Sequence, residues 1–136
     1  MKYKELLTWL KENGYLPNLD IDVLLKRYLN SELPTKTPEQ IIKLIGILEE
    51  VPDDYATQKN KKIEIVTARQ IAITLIKCNI RLSLNDIGYL FNKNHATIIH
   101  SHKVIDNLLA TDKEFRIKFN NYLKYLNLKY VKYGKT

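Results

Sequence analysis

Hydrogen-bonding side chains are densest in the run Lys93-Asn94-His95-Ala96-Thr97, where a cation, an amide, an imidazole and a hydroxyl follow almost directly on one another. Such groups can reach the edges of bases in a duplex groove. No catalytic constellation accompanies them, so the expected role is non-enzymatic binding. His95, His100 and His102 together with Cys78 invite a metal reading, but His100 and His102 stand two apart on one helical segment and face different directions. Neither a metal nor another cofactor is therefore expected. His95 reads better as a base contact, and His100 as a residue packed near the first helix of its domain or held by a structural hydrogen bond.

Two short helical patterns must position the polar run. Ser83-Leu84-Asn85-Asp86-Ile87-Gly88-Tyr89-Leu90-Phe91 is followed after a tight connection by the segment starting at His95, which has the proportions of a helix-turn-helix. In that geometry the second helix enters the major groove N-terminus first, so its opening residues need to be polar while Ile98, Ile105 and Leu109 can bury behind them.

Apolar residues recur at helical spacing along nearly the whole chain, and the fold expected is all-α, a helical bundle. Helices are expected over about Tyr3–Asn13, from Asp20 or Asp22 to about Leu29, and from Pro38 with Thr37 as its cap. Beyond these come about Glu64–Asn79, Leu84–Phe91, His95–Leu109 and Lys113–Lys129. Ser83, Asn94 and Asp112 are the candidate caps of the last three. Val51–Lys62, polar and lysine-rich, reads as a linker separating an N-terminal segment, residues 1–54, from a domain over 60–130. Tyr3, Trp9 and Tyr15 read as core, and the interleaved tyrosines and lysines from Tyr122 to Lys135 as amphipathic helix surface.

Charge divides at the same place. Residues 1–55 carry 7 Lys+Arg against 10 Asp+Glu, whereas residues 56–136 carry 15 against 5, so the net +7 of the chain lies entirely in its second part. A nucleic-acid module joined to an acidic partner-binding segment would show this asymmetry. Residues 1–54 are accordingly assigned to homodimerisation or to another protein. The single cysteine, Cys78, permits no intrachain disulfide and suits a small buried hydrophobe. With no run long and apolar enough to span a bilayer, no membrane partner and a cytoplasmic location are expected.

Three stretches, Ala68-Arg69-Gln70-Ile71-Ala72-Ile73, Ser83-Leu84-Asn85-Asp86-Ile87-Gly88 and Asn94-His95-Ala96-Thr97-Ile98-Ile99-His100-Ser101, resemble successive signatures of the C-terminal DNA-binding domain of DnaA, the bacterial replication initiator family. The resemblance covers about Lys61–Leu109, at its widest to Leu126. It implies a DnaA/Trp-repressor-like helix-turn-helix and double-stranded DNA as partner. Arg69 matches an arginine inserted into the minor groove, Asn94 and His95 match an aspartate and a histidine that read bases, Thr97 matches a threonine of the same turn, and Lys93 stands where a basic residue is usual. Ser83, Asn85, Ala96, Ile99 and Lys103 complete the expected DNA-binding set. Two features depart from the family pattern. The connection from Phe91 to His95 is one residue shorter and lacks its glycine, and Asn94 replaces the aspartate, so the preferred sequence is expected to differ. The AAA+ ATPase domain of the full initiator needs a phosphate loop; Gly134-Lys135-Thr136 ends the chain, but Lys129 stands where its first glycine belongs. A stand-alone DNA reader without nucleotide is expected, of bacterial or phage origin, acting in replication initiation or transcription. The rival is a non-enzymatic interaction module whose basic face meets an acidic protein. RNA is disfavoured because a recognition helix cannot enter the deep, narrow major groove of A-form RNA.

Overall fold

Among the described residues, four of the five helices start where a short polar side chain takes over a backbone amide that the helix itself leaves unpaired. The computed structural model describes residues 36–134. The helices expected between Tyr3 and Leu29 and the cluster of Tyr3, Trp9 and Tyr15 lie outside the described residues. Helix α1, Pro38–Leu48, opens with a reciprocal capping box in which Thr37 Oγ1 accepts from the Gln40 N–H at 3.2 Å and Gln40 Oε1 accepts from the Thr37 N–H at 2.8 Å. Helix α2 spans Ile63–Asn79 without a side-chain cap. Ser83 Oγ accepts from Asp86 N–H at 3.0 Å to open α3, Leu84–Phe91, and Asp112 Oδ1 accepts from Phe115 N–H at 3.0 Å to open α5, Lys113–Leu126. Helix α4, His95–Thr111, is capped by Asn94. Helix α5 stops short of the expected Lys129 because Asn127 adopts a left-handed conformation, φ 53°, that turns its N–H back onto the Leu123 and Lys124 carbonyls. Among the described residues there is no strand, and no helix is long and apolar enough to cross a membrane.

Helix α2 lies at the centre. Its residues Ile71 to Ile76 are buried without a break, which an amphipathic surface helix cannot achieve, and α1, α3 and α4 all pack against it. Ile41, Leu44, Ile45 and Leu48 of α1 and Ile98 and Ile105 of α4 join this core. Helix α5 adds Phe115, Phe119, Tyr122 and Leu126, packs on α4, and reaches α1 by an ion pair from Lys118 to Glu49 at 3.1 Å. The Tyr122 hydroxyl donates to the same carboxylate.

The segment Val51–Lys62 is not the solvated linker that its composition suggested, and the boundary drawn there falls inside one hydrophobic core. Tyr55 is 0% exposed and Ala56 is buried beside it. The Tyr55 hydroxyl donates to the Ile42 carbonyl at 2.7 Å, and its ring lies where a Cβ on Gly46 would stand 2.9 Å away. One large aromatic therefore binds the segment to α1, although the surrounding residues are polar. Helix α1 shares its core with α2 instead of belonging to a separate N-terminal unit.

Replacing Tyr55 by alanine is expected to lower the unfolding free energy by about 3–5 kcal/mol, as for other buried aromatics. Urea unfolding followed by circular dichroism measures this; a change below about 0.5 kcal/mol, the surface norm, would restore the linker reading.

Candidate nucleic-acid interface

The close approach of α3 and α4 begins at Gly88. A Cβ there would stand 2.3 Å from the Lys93 carbonyl oxygen, so only glycine lets the connection fold back this tightly. The Lys93 N–H donates to the Gly88 carbonyl at 2.9 Å and closes the turn. Asn92 supplies the left-handed residue, φ 54°, and so does the work of the glycine missing from this connection; asparagine tolerates that region better than most side chains. Ile87 and Phe91 on one side of the turn and Ile98 and Ile105 on the other anchor both helices in the core.

This anchoring turns the start of α4 outward. Asn94, His95 and Ala96 are exposed, and Lys93, Thr97 and Ile99 are half-buried beside them. Asn94 Oδ1 accepts both the Thr97 N–H at 3.0 Å and the Thr97 hydroxyl at 3.2 Å. Further along the helix Lys103 is exposed, its ammonium 5.1 Å from the centre of the Tyr133 ring. Ser83 and Asn85 are exposed at the start of α3, where the Ser83 hydroxyl is engaged as cap. The structure thus gathers Lys93, Asn94, His95, Ala96, Thr97, Ile99 and Lys103 on α4 and its entry, with Ser83 and Asn85 on the preceding helix.

Two exposed residues were missed. His100 was expected to pack, yet it is exposed one helical turn beyond Ala96 and one before Lys103, while the buried histidine is His102, 2% exposed. The signal was the spacing of Ala96, His100 and Lys103, opposite to Ile98 and Ile105. His102 Nε2 meets the Val131 carbonyl at 2.8 Å and Nδ1 meets Lys77 Nζ at 3.1 Å, with the rings of Tyr130 and Tyr133 edge-on against it. Burial lowers its pKa, which favours the neutral ring, donating through Nε2 and accepting through Nδ1. Cys78 is half-buried beside it, its Sγ 3.5 Å from the same carbonyl, and burial pushes its thiol up. Tyr89, four residues after Asn85, is the other missed residue, 89% exposed. Among the described residues no three His, Cys, Asp or Glu side chains converge as a metal site.

Arg69 is placed differently from the outward-reaching arginine that the resemblance implied. It is 6% exposed, and its guanidinium donates to the carbonyls of Tyr55 at 3.2 Å, Gln58 at 2.9 Å and Asn60 at 2.8 Å. A planar fork of donors fits the inside of a bent loop, where three carbonyls converge that would otherwise lack partners. Arg69 therefore ties the 55–60 loop to α2 and does not stand with the exposed residues of α4.

The family model described as the bacterial DnaA protein helix-turn-helix matches residues 38–105. The chromosomal replication initiator protein DnaA of Flavobacterium psychrophilum is 31% identical over 117 residues, 76% of this chain and 24% of that protein. Its counterpart in Thermosipho melanesiensis is 33% identical, covering 72% of this chain and 22% of that protein, and the one in Bacteroides fragilis is 29% identical, covering 79% and 23%. The chain thus spans about a quarter of the length of the curated relatives it matches. The match begins at the first residue of α1, which agrees with the shared core and not with a boundary after it.

Substituting Gly88 by alanine is expected to cost about 1–3 kcal/mol, since backbone must move to admit the methyl, and to shift amide resonances from Leu84 to Thr97 in a two-dimensional NMR spectrum. Unchanged spectra would contradict the close contact. Arg69→Met takes the guanidinium from three carbonyls, that of Tyr55 buried and those of Gln58 and Asn60 partly so, and is expected to lose on the order of 2–4 kcal/mol in urea unfolding. A cost as small as that of His95→Ala at the exposed site would show that the guanidinium is not anchored.

Proposed function

The chain belongs to the family of bacterial DnaA helix-turn-helix domains, and on that premise we propose that it binds double-stranded DNA sequence-specifically, in the initiation of replication or its control. The observation that carries this reading is the exposure of Asn94 and His95 at the start of α4, with Lys93 half-buried beside them, on a helix pair brought close together at Gly88. The name shared by the matched relatives, chromosomal replication initiator, supports replication over transcription.

In this reading α4 enters the major groove by its first turn. Asn94 and His95 meet base edges there, and the Ala96 methyl and Ile99 side chain can pack on thymine methyl groups. Lys93 and Lys103 meet phosphates, while Ser83 and Asn85 bring α3 against the backbone, where contacts fix register without reading sequence. The excess of 15 Lys+Arg over 5 Asp+Glu in residues 56–136 supplies a general attraction that salt screens. Arg69, bound to the carbonyls of the 55–60 loop, is not among the residues that this reading places at the duplex.

Selection from random duplex DNA at physiological salt tests the reading. The protein is expected to enrich one motif, His95→Ala to lose preference at one or two positions of it, and Lys93→Ala to bind all sequences more weakly with a salt slope reduced by about 1. Enrichment of no motif would favour the acidic-protein partner instead.

A further inference from the structure

We infer that Asn94 is a specificity-determining residue that presents only hydrogen-bond donors to the DNA, selecting guanine and rejecting cytosine at one position; this rests on the DNA-binding reading above. An asparagine side chain ordinarily offers an acceptor and a donor pair together, which matches adenine. Here the acceptor is spent. Both hydrogens that Thr97 can give, from its backbone N–H and its hydroxyl, go to Asn94 Oδ1, at 3.0 and 3.2 Å. A carbonyl oxygen has two lone pairs, and the two Thr97 bonds occupy them.

The amide cannot be turned over to release the oxygen. Nδ2 in that place would set donor against donor at the Thr97 N–H and remove the cap of α4. What the exposed end of Asn94 retains is the Nδ2 hydrogens, directly ahead of His95 at the tip that enters the groove. Guanine offers N7 and O6, two acceptors and no donor. Cytosine presents N4–H2, which opposes a donor directly, and adenine sets N6–H2 beside its single acceptor. The same bond commits the Thr97 hydroxyl hydrogen, leaving Thr97 an acceptor and a methyl group. One intrahelical contact thus fixes the hydrogen-bonding sense of two neighbouring side chains.

Asn94→Asp reverses that sense without removing the cap, because aspartate caps as well as asparagine and its second oxygen can only accept. Asn94→Ser keeps a capping oxygen and removes the outward group. Site selection from random duplexes with the whole chain compares the three, and urea unfolding confirms that each variant is folded. One position is expected to favour guanine over cytosine by about fivefold or more in the parent, to switch to cytosine in Asn94→Asp and to go flat in Asn94→Ser, with other positions unchanged. Identical preferences in the parent and Asn94→Asp, or cytosine already favoured by the parent at the position that Asn94→Ser flattens, would overturn the inference and leave DNA binding intact. If the folded parent enriches no sequence, the DNA-binding reading falls, and this inference with it.

Discussion

From Ile71 to Ile76 helix α2 is enclosed on every side, and the positions of α1, α3 and α4 follow from what each contributes to that enclosure. Its run from Ile71 to Ile76 has no face that water could wet, so α1, α3 and α4 must all lie against it. Even its polar residues serve this end. Arg69 holds the 55–60 loop, Asn79 pairs with the backbone of Lys129 through both its amide groups, and Lys77 contacts His102. Among the described residues every buried side-chain nitrogen or oxygen has a partner, so the few polar groups of this central helix are not left buried and unpaired.

From this follows a division between the two sides of α4. Its inner side is fixed by Ile98 and Ile105 and, from behind, by a strap formed by residues 128–133 after α5. Val131 accepts from His102, and Asp106 accepts from the Tyr130 hydroxyl and from the Tyr133 N–H. The outer side carries His95, His100 and Lys103 into solvent. The proposed reading of bases depends on this support, because a hydrogen bond discriminates between bases only if the donor arrives at a fixed place. The tyrosines of the tail take part in this support; Tyr122 and Tyr125 are buried and Tyr130 lies edge-on to Phe119.

Much of this was legible from residue types because it is governed locally. Thr37, Ser83, Asn94 and Asp112 cap helices through bonds to residues three positions away, so the helix starts were readable within a residue. The all-α class and the helix pair around Asn92 followed from spacing alone. The glycine noted as missing from the connection proved to be replaced by Asn92 in left-handed form, with Gly88 giving the clearance one turn earlier. Local composition failed at Val51–Lys62, where few apolar residues suggested a solvated linker and Tyr55 with Ala56 pins an otherwise largely exposed segment to the core.

The sequence by itself determined the helices, their caps, the helix-turn-helix and the group of polar residues at its tip, since each depends on neighbours within one or two turns. Only the tertiary structure decided which polar groups remain available. Arg69 turns inward because carbonyls 9, 11 and 14 residues away converge on it, and His102, not His100, is buried because the strap from Val131 passes over it. Asn94 lost its acceptor to a neighbour that spacing did reveal, but that both Thr97 hydrogens point at one oxygen is a matter of rotamers and cap geometry. Residue type states what a side chain can donate or accept; packing settles which of those capacities is still unspent at the surface.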